Sequence, residues 1–159
     1  MNTKPKDFKK LIFSILLPLV VGGVSGLLTS SGVNGWYSTL EKPFLNPPSF
    51  VFGPVWTILY IMMGISLYLI WNSRESLAKP FLFWLFGLQL TANFFWSIFF
   101  FGMENPALAL VDIVTLWILI VINIFYFYKV SRVAAWLLIP YLLWVSFATY
   151  LNLSIVTLN

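Results

Sequence analysis

Trp56 and Tyr60 stand one helical turn apart, and Gln89, Asn93, Trp96 and Phe100 follow the i, i+4, i+7, i+11 spacing of a single helical face. Tyr141, Trp144, Ala148 and Asn152 make a similar stripe further on. Side chains of these types are suited to stacking on the faces of a flat organic molecule and offering it an amide hydrogen bond, from Asn93 or Gln89. The same pattern has a plainer use. Tryptophan and tyrosine collect at membrane interfaces in proteins without a ligand, and buried amides often only pair helices. Pattern alone leaves both readings open.

Conventional catalysis finds little to work with. The chain has no cysteine and no histidine, which removes thiolate chemistry, zinc sites and the commonest general base. No metal site is expected: tyrosine and methionine can ligate haem iron, but four methionines in so apolar a chain read as core filler. Paired carboxylates, a Ser-His-Asp arrangement and a phosphate-binding loop are all absent, so no hydrolase or kinase reading survives. Asp112 is the one acid inside an apolar run, where burial of a charge is expensive. It lies near the end of that run, and a structural role and a proton relay both stay open.

The elements that must position these residues are membrane helices. Sixty per cent of the 159 residues are hydrophobic and nine per cent are charged, so no polar coat exists to cover a soluble core. At about 20 residues per span, the chain divides into five, at roughly 9–29, 51–71, 80–101, 107–128 and 133–157, in one domain over 1–159. The first could instead be a signal peptide, but its apolar run exceeds the 7 to 15 residues of a signal core and no A-x-A-like site follows. Pro18 is expected to kink it, and Gly22 and Gly26 form a G-x-x-x-G suited to close helix approach.

The connection over 30–50 is too long for a mere link, and such loops are usually functional beyond about 12 to 15 residues. It carries Trp36, Tyr37, a Glu41-Lys42 pair and Pro43, Pro47 and Pro48. Five spans put Lys4, Lys6, Lys9, Lys10, Arg74, Lys79, Lys129 and Arg132, eight cations, on one side, against Lys42 alone on the other. By the positive-inside rule the N-terminus is cytoplasmic, and the long loop faces outward over the outer ends of the helices. The formal charge of +4 is small, and the basic residues sit at helix ends rather than in a patch, so nucleic acid is excluded as a partner.

Five segments, in order, are similar to the translocator protein family, the tryptophan-rich sensory proteins of bacteria and the mitochondrial peripheral benzodiazepine receptors. They are W-Y-x-x-L-x-K-P at 36–43, P-P-x-x-x-F at 47–52, V-W-x-x-L-Y at 55–60, the third-span Gln89, Asn93, Trp96, Ser97, Phe99 and Phe100, and P-Y-x-x-W-x-x-F-A-x-x-L-N at 140–152. The resemblance covers almost the whole chain. It implies an all-α membrane bundle of five helices, usually a homodimer with contacts on the third span near Gly87 and Thr91, and a pocket near the outer end closed by the first loop. Porphyrins such as protoporphyrin IX, and isoquinoline or benzodiazepine ligands, are bound by such proteins, with no obligatory cofactor.

Carried over by position, the ligand-binding residues would be Tyr37, Pro47, Trp56, Asn93, Trp96, Trp144, Phe147, Ala148 and Leu151. Some bacterial members break down protoporphyrin in light; there Trp56 and Trp144 would be the catalytic side chains, as electron-rich indoles against a photoexcited ring. Receptor, photochemical enzyme and transporter are the competing roles, although the chain shows neither an inverted repeat nor paired intramembrane charges. One departure matters. Animal relatives carry a cholesterol pattern with a basic residue after a fifth-span tyrosine, whereas no lysine or arginine follows Tyr150. Val121, Tyr126 and Lys129 fit the loose formula by letter only, and cholesterol transport is not expected.

Overall fold

Apolar runs of this length satisfy their backbone groups in a bilayer only as helices or closed barrels, and the computed structural model, which describes residues 7–74 and 77–159, is helical. Its elements are α1 (Phe8–Asn34), α2 (Trp36–Thr39), α3 (Ser49–Trp71), α4 (Lys79–Ser97), a π-helical turn (Ile98–Gly102), α5 (Pro106–Val130), α6 (Arg132–Leu137) and α7 (Ile139–Leu158). Five stretches are long and apolar enough to span: Phe8–Val33, Ser49–Trp71, Lys79–Gly102, Pro106–Val130 and Arg132–Leu158. Lys4, Lys6 and Glu75 lie outside the described residues.

The boundaries follow local chemistry. Asp7 caps α1 by accepting from the Lys10 amide, Asn105 caps α5 through Leu108, and Ser131 caps α6 through Ala134. The first span runs past residue 29 to Asn34, and within it the hydroxyls of Ser25, Thr29 and Ser30 bond back to carbonyls of the preceding turn. These polar side chains are thereby satisfied inside the helix. The connection to α3 shrinks accordingly to 35–48, and part of it is the short helix α2. Pro18 lies within α1 without ending it.

Two further departures from the expected spans occur at helix ends. The third span closes in a π-turn, with the Met103 amide donating to the Ile98 carbonyl at 2.7 Å. Behind it Glu104 takes a positive φ of 52°. The fifth span is two helices rather than one, because Pro140 has no amide with which to continue the ladder through Leu138.

Around the bundle the spans follow the order first, second, fifth, fourth, third, and α1 against α4 closes the ring. Met63, Ile70, Phe86, Leu116, Ile120, Phe127 and Tyr141 fill the centre. Phe13, Leu16, Val20, Leu27, Val111, Phe125 and Leu143 are exposed on the outside, as lipid-facing residues should be. Amides and hydroxyls tie the helices together where an unpaired group would be costly. Ser66 donates to the Ala134 carbonyl at 2.7 Å, Asn123 to Leu85 at 3.2 Å, Asn152 to Pro106 at 2.8 Å and Trp117 to Ser146 at 2.8 Å.

Candidate functional site: an aromatic cleft beside the glycine face of α1

Where α1 passes α3, its sequence is Gly22, Gly23, Ser25 and Gly26, so one wall of the contact is nearly bare backbone. Opposite stand Phe52, Trp56 and Tyr60 of α3, with Trp96 and Phe101 at the end of the third span. Between them lies a half-open cleft of about 450 Å³, within the range of about 300–1,000 Å³ typical of ligand pockets. Gly22 is there for a packing reason: a Cβ at that position would collide with the Tyr60 ring. At Gly23, Gly26 and Gly53 a Cβ would meet nothing within 4 Å among the described residues, and there the missing side chain is what leaves the space.

The aromatic wall is a connected array. Trp56 stacks on Tyr60 with centroids 5.5 Å apart, lies tilted 6.4 Å from Trp96, and meets Tyr141 edge-on at 6.2 Å. Behind it a polar string fixes the rings. The Tyr60 hydroxyl donates to Asn93 Oδ1 at 2.7 Å, and Asn93 Nδ2 donates to the Tyr141 oxygen at 3.0 Å. Trp96 Nε1 donates to Asn152 Oδ1 at 3.1 Å, which holds that indole from α7.

Nine residues were expected to bind ligand, and the structure divides them into four groups. Trp56 and Trp96 line the cleft, while Asn93 sits behind Tyr60 with its amide engaged by two tyrosines rather than turned toward open space. Trp144 and Phe147 lie beyond Phe52, whose ring is 5.9 Å from Trp144; Trp144 Nε1 is buried with no partner among the described residues. Ala148 and Leu151 are buried on the inner side of α7. Tyr37 and Pro47 belong to the loop. Gln89 is fully buried, and neither atom of its amide has a partner among the described residues.

The loop is held down rather than loose. Tyr37 packs edge-on against Phe100 and Phe101 at 6.0 and 5.4 Å, and its hydroxyl donates to Asn46 Oδ1 at 2.8 Å, beside Pro47. Burial pushes the Tyr37 phenol above its ordinary pKa, against the Asn46 bond that lowers it, so it stays a donor throughout the neutral range. Asn159 exchanges two bonds with Glu41, accepting from its amide at 3.0 Å and donating to its carbonyl at 3.1 Å. Asp112, expected as an intramembrane acid, lies on α5 with one buried oxygen that has no partner among the described residues. No cluster suited to a metal ion occurs among the described residues.

Sequence reasoning placed the pocket among the second, third and fifth spans; the cleft takes its facing wall from α1. Gly22, Gly23, Ser25, Gly26 and Phe52 were therefore missed as lining residues. Their signal was present in the density of glycine in the C-terminal half of the first span, read there as a motif for close helix approach.

A sequence profile described as the TspO/MBR family matches residues 14–158. The tryptophan-rich protein TspO of Chlorobaculum tepidum is 46% identical over 158 residues, covering 97% of this chain and 98% of its own. That of Archaeoglobus fulgidus is 44% identical over 153 residues, with 94% and 97% covered. The translocator protein of Sus scrofa is 37% identical over 141 residues, with 84% and 82% covered.

Proposed function

The chain belongs to the TspO/MBR family of membrane proteins, and from that premise we propose that it is a receptor or sensor for a flat, apolar ligand of the porphyrin type, protoporphyrin IX being the reference compound. Isoquinoline- and benzodiazepine-like molecules share the required flatness. The observation that carries this reading is the Trp56, Tyr60 and Trp96 array facing the glycine wall of α1 across open space. Stacked rings gain from a planar partner beyond the area they bury, and a backbone wall lets that partner approach closely. In this assignment Trp56 and Trp96 stack, Asn93 fixes Tyr60 behind them, and Tyr37 and Pro47 cap the outer end. Trp144, Phe147, Ala148 and Leu151 form the side beyond Phe52. The ligand is bound reversibly and no cofactor is required.

Titration with protoporphyrin IX in the dark, followed by quenching of the tryptophans, tests this. The protein should bind saturably, and Trp56→Ala should weaken binding about tenfold, as loss of one stacked ring implies, with its helical circular dichroism retained at the assay temperature. Quenching that never saturates, or equal affinity in the variant, would overturn the assignment. The contact of Trp56 with Tyr60 favours light-driven breakdown of the ligand as a second reading, since an oxidised indole there has an aromatic neighbour with which to share its electron deficit. Under illumination Soret absorbance should then fall with turnover, and more slowly in Trp56→Phe; loss at the detergent-only rate would exclude it. A transporter would also accumulate ligand inside sealed vesicles, which a receptor does not.

Two features of the assembly belong to the same proposal. The cytoplasmic side is the one that carries Lys9, Lys10, Arg74, Lys79, Lys129 and Arg132, and the loop lies outside. A cysteine at the fully exposed Phe44 should react with an impermeant thiol reagent in intact cells. The protein pairs as a homodimer through the α4 face bearing Trp84, Gly87, Leu88 and Thr91, a shallow depression. Gly87→Cys should then crosslink, whereas Gly22→Cys, turned toward Tyr60, should not.

A further inference from the structure

A second recess lies at the opposite, basic end of the bundle. Phe13 and Leu17 of α1, Leu67 and Trp71 of α3, and Phe83 and Phe86 of α4 surround an apolar groove of about 230 Å³. Phe13 and Phe83 stand edge-on to Trp71 at 5.8 and 6.1 Å, so this indole is the meeting point of three helices. Cations gather at the same place. Lys10 Nζ sits 5.8 Å from the centre of the Trp71 ring, and Lys79 Nζ donates to the Trp71 carbonyl at 2.9 Å and to the Ser73 carbonyl at 2.8 Å. Exposed Lys9 and Arg74 flank them. Asp7, paired with Lys10 at 3.2 Å, is the acid at this rim among the described residues.

We infer that this groove holds an acyl chain of an anionic phospholipid, whose phosphate is held by Lys10 at the rim. The two halves of such a lipid match the two halves of the site. Phe13 and Leu17 lie roughly 5 and 10 Å along α1 from Lys10 at about 1.5 Å per residue, which is where a chain runs after leaving its headgroup. Basic recesses between helices on the positively charged side are suited to anionic headgroups. The lining is aliphatic and aromatic side chains with exposed Phe13 at its edge, so the groove opens to lipid and offers a polar ligand nothing. Asp7 leaves Lys10 in place beside Trp71 and only partly neutralised, since an exposed pair is weak. The inference is independent of the ligand cleft, because the two share no lining residue, but Phe83 and Gly87 also line the α4 depression assigned to the dimer, so the lipid lies at the edge of that interface.

Lipids brominated in the acyl chain quench tryptophan on contact, and the part of the quenching that disappears in Trp71→Phe belongs to the groove. In bilayers of unbrominated phosphatidylcholine, brominated phosphatidylglycerol should quench that part at about fivefold lower mole fraction than brominated phosphatidylcholine, the preference expected of one cation near the surface. Lys10→Gln should reduce the preference. Equal quenching by the two lipids, or a preference unchanged in Lys10→Gln, overturns the inference. No quenching of Trp71 by either lipid also overturns it, since the groove would then be covered by protein, such as a second copy of the chain.

Discussion

Gly64→Ala should lower the thermal unfolding midpoint sharply, by about 1–3 kcal/mol of stability at the scale of an overpacked core, while Gly23→Ala on the facing helix should leave it unchanged or raise it. The two substitutions add the same methyl group to helical glycines. At Gly64, however, a Cβ would stand 2.5 Å from Ile15 Cα and 2.6 Å from the Ser14 carbonyl oxygen, both backbone atoms that no rotamer can move. α1 must shift as a body to admit it. At Gly23 nothing lies within 4 Å among the described residues, and alanine there gains roughly 0.5–1 kcal/mol of helix propensity. Far-UV circular dichroism against temperature in one detergent compares them; equal midpoints for the two variants would mean that α1 and α3 are not in backbone contact.

Asn93→Leu should both destabilise the bundle and weaken the proposed ligand site, although the side chain does not face the cleft. Its amide is the joint between two tyrosines on different helices, accepting from Tyr60 at 2.7 Å and donating to Tyr141 at 3.0 Å. Leucine, with the same branching of side-chain heavy atoms, leaves both hydroxyls without that partner, at about 1–3 kcal/mol for each buried group stranded. Tyr60 also loses the bond that fixes it beneath Trp56, so the aromatic wall loosens. A cycle with Tyr60→Phe separates the effects: the pair should be non-additive by at least about 0.5 kcal/mol, as expected for groups that touch. Additive losses would show that the two side chains do not act through each other.

Much of this was legible from residue order because it depends on neighbours along a helix. The five apolar runs became five spans, and the stripe of Gln89, Asn93, Trp96 and Phe100 does turn inward, as its spacing required. What periodicity could not supply was which helix stands opposite. A helical face records that something packs on it without naming the partner, and α1 as the facing wall follows from the order of spans around the ring. The amides show the same limit. Asn93 and Gln89 looked equally able to meet a ligand or to pair helices; in the structure Asn93 bonds Tyr60 and Tyr141 across helices, whereas the Gln89 amide has no partner among the described residues. The break at Pro140 and the π-turn at Ile98–Gly102 depend on how helix ends dock, which hydropathy does not register.

The bare wall of the cleft also bears on which molecule occupies it. In the proposed site, the glycine backbone of α1 exerts little chemical preference beyond thickness: it works as a slot gauge, admitting a flat apolar body of the right depth and excluding bulky ones. Discrimination among planar molecules then rests on supply, on which of them the surrounding bilayer dissolves and at what concentration. Under the proposed assignment, the occupant in a living cell is accordingly a property of that membrane's contents as much as of this protein, and the same chain placed in two membranes would take up two different compounds.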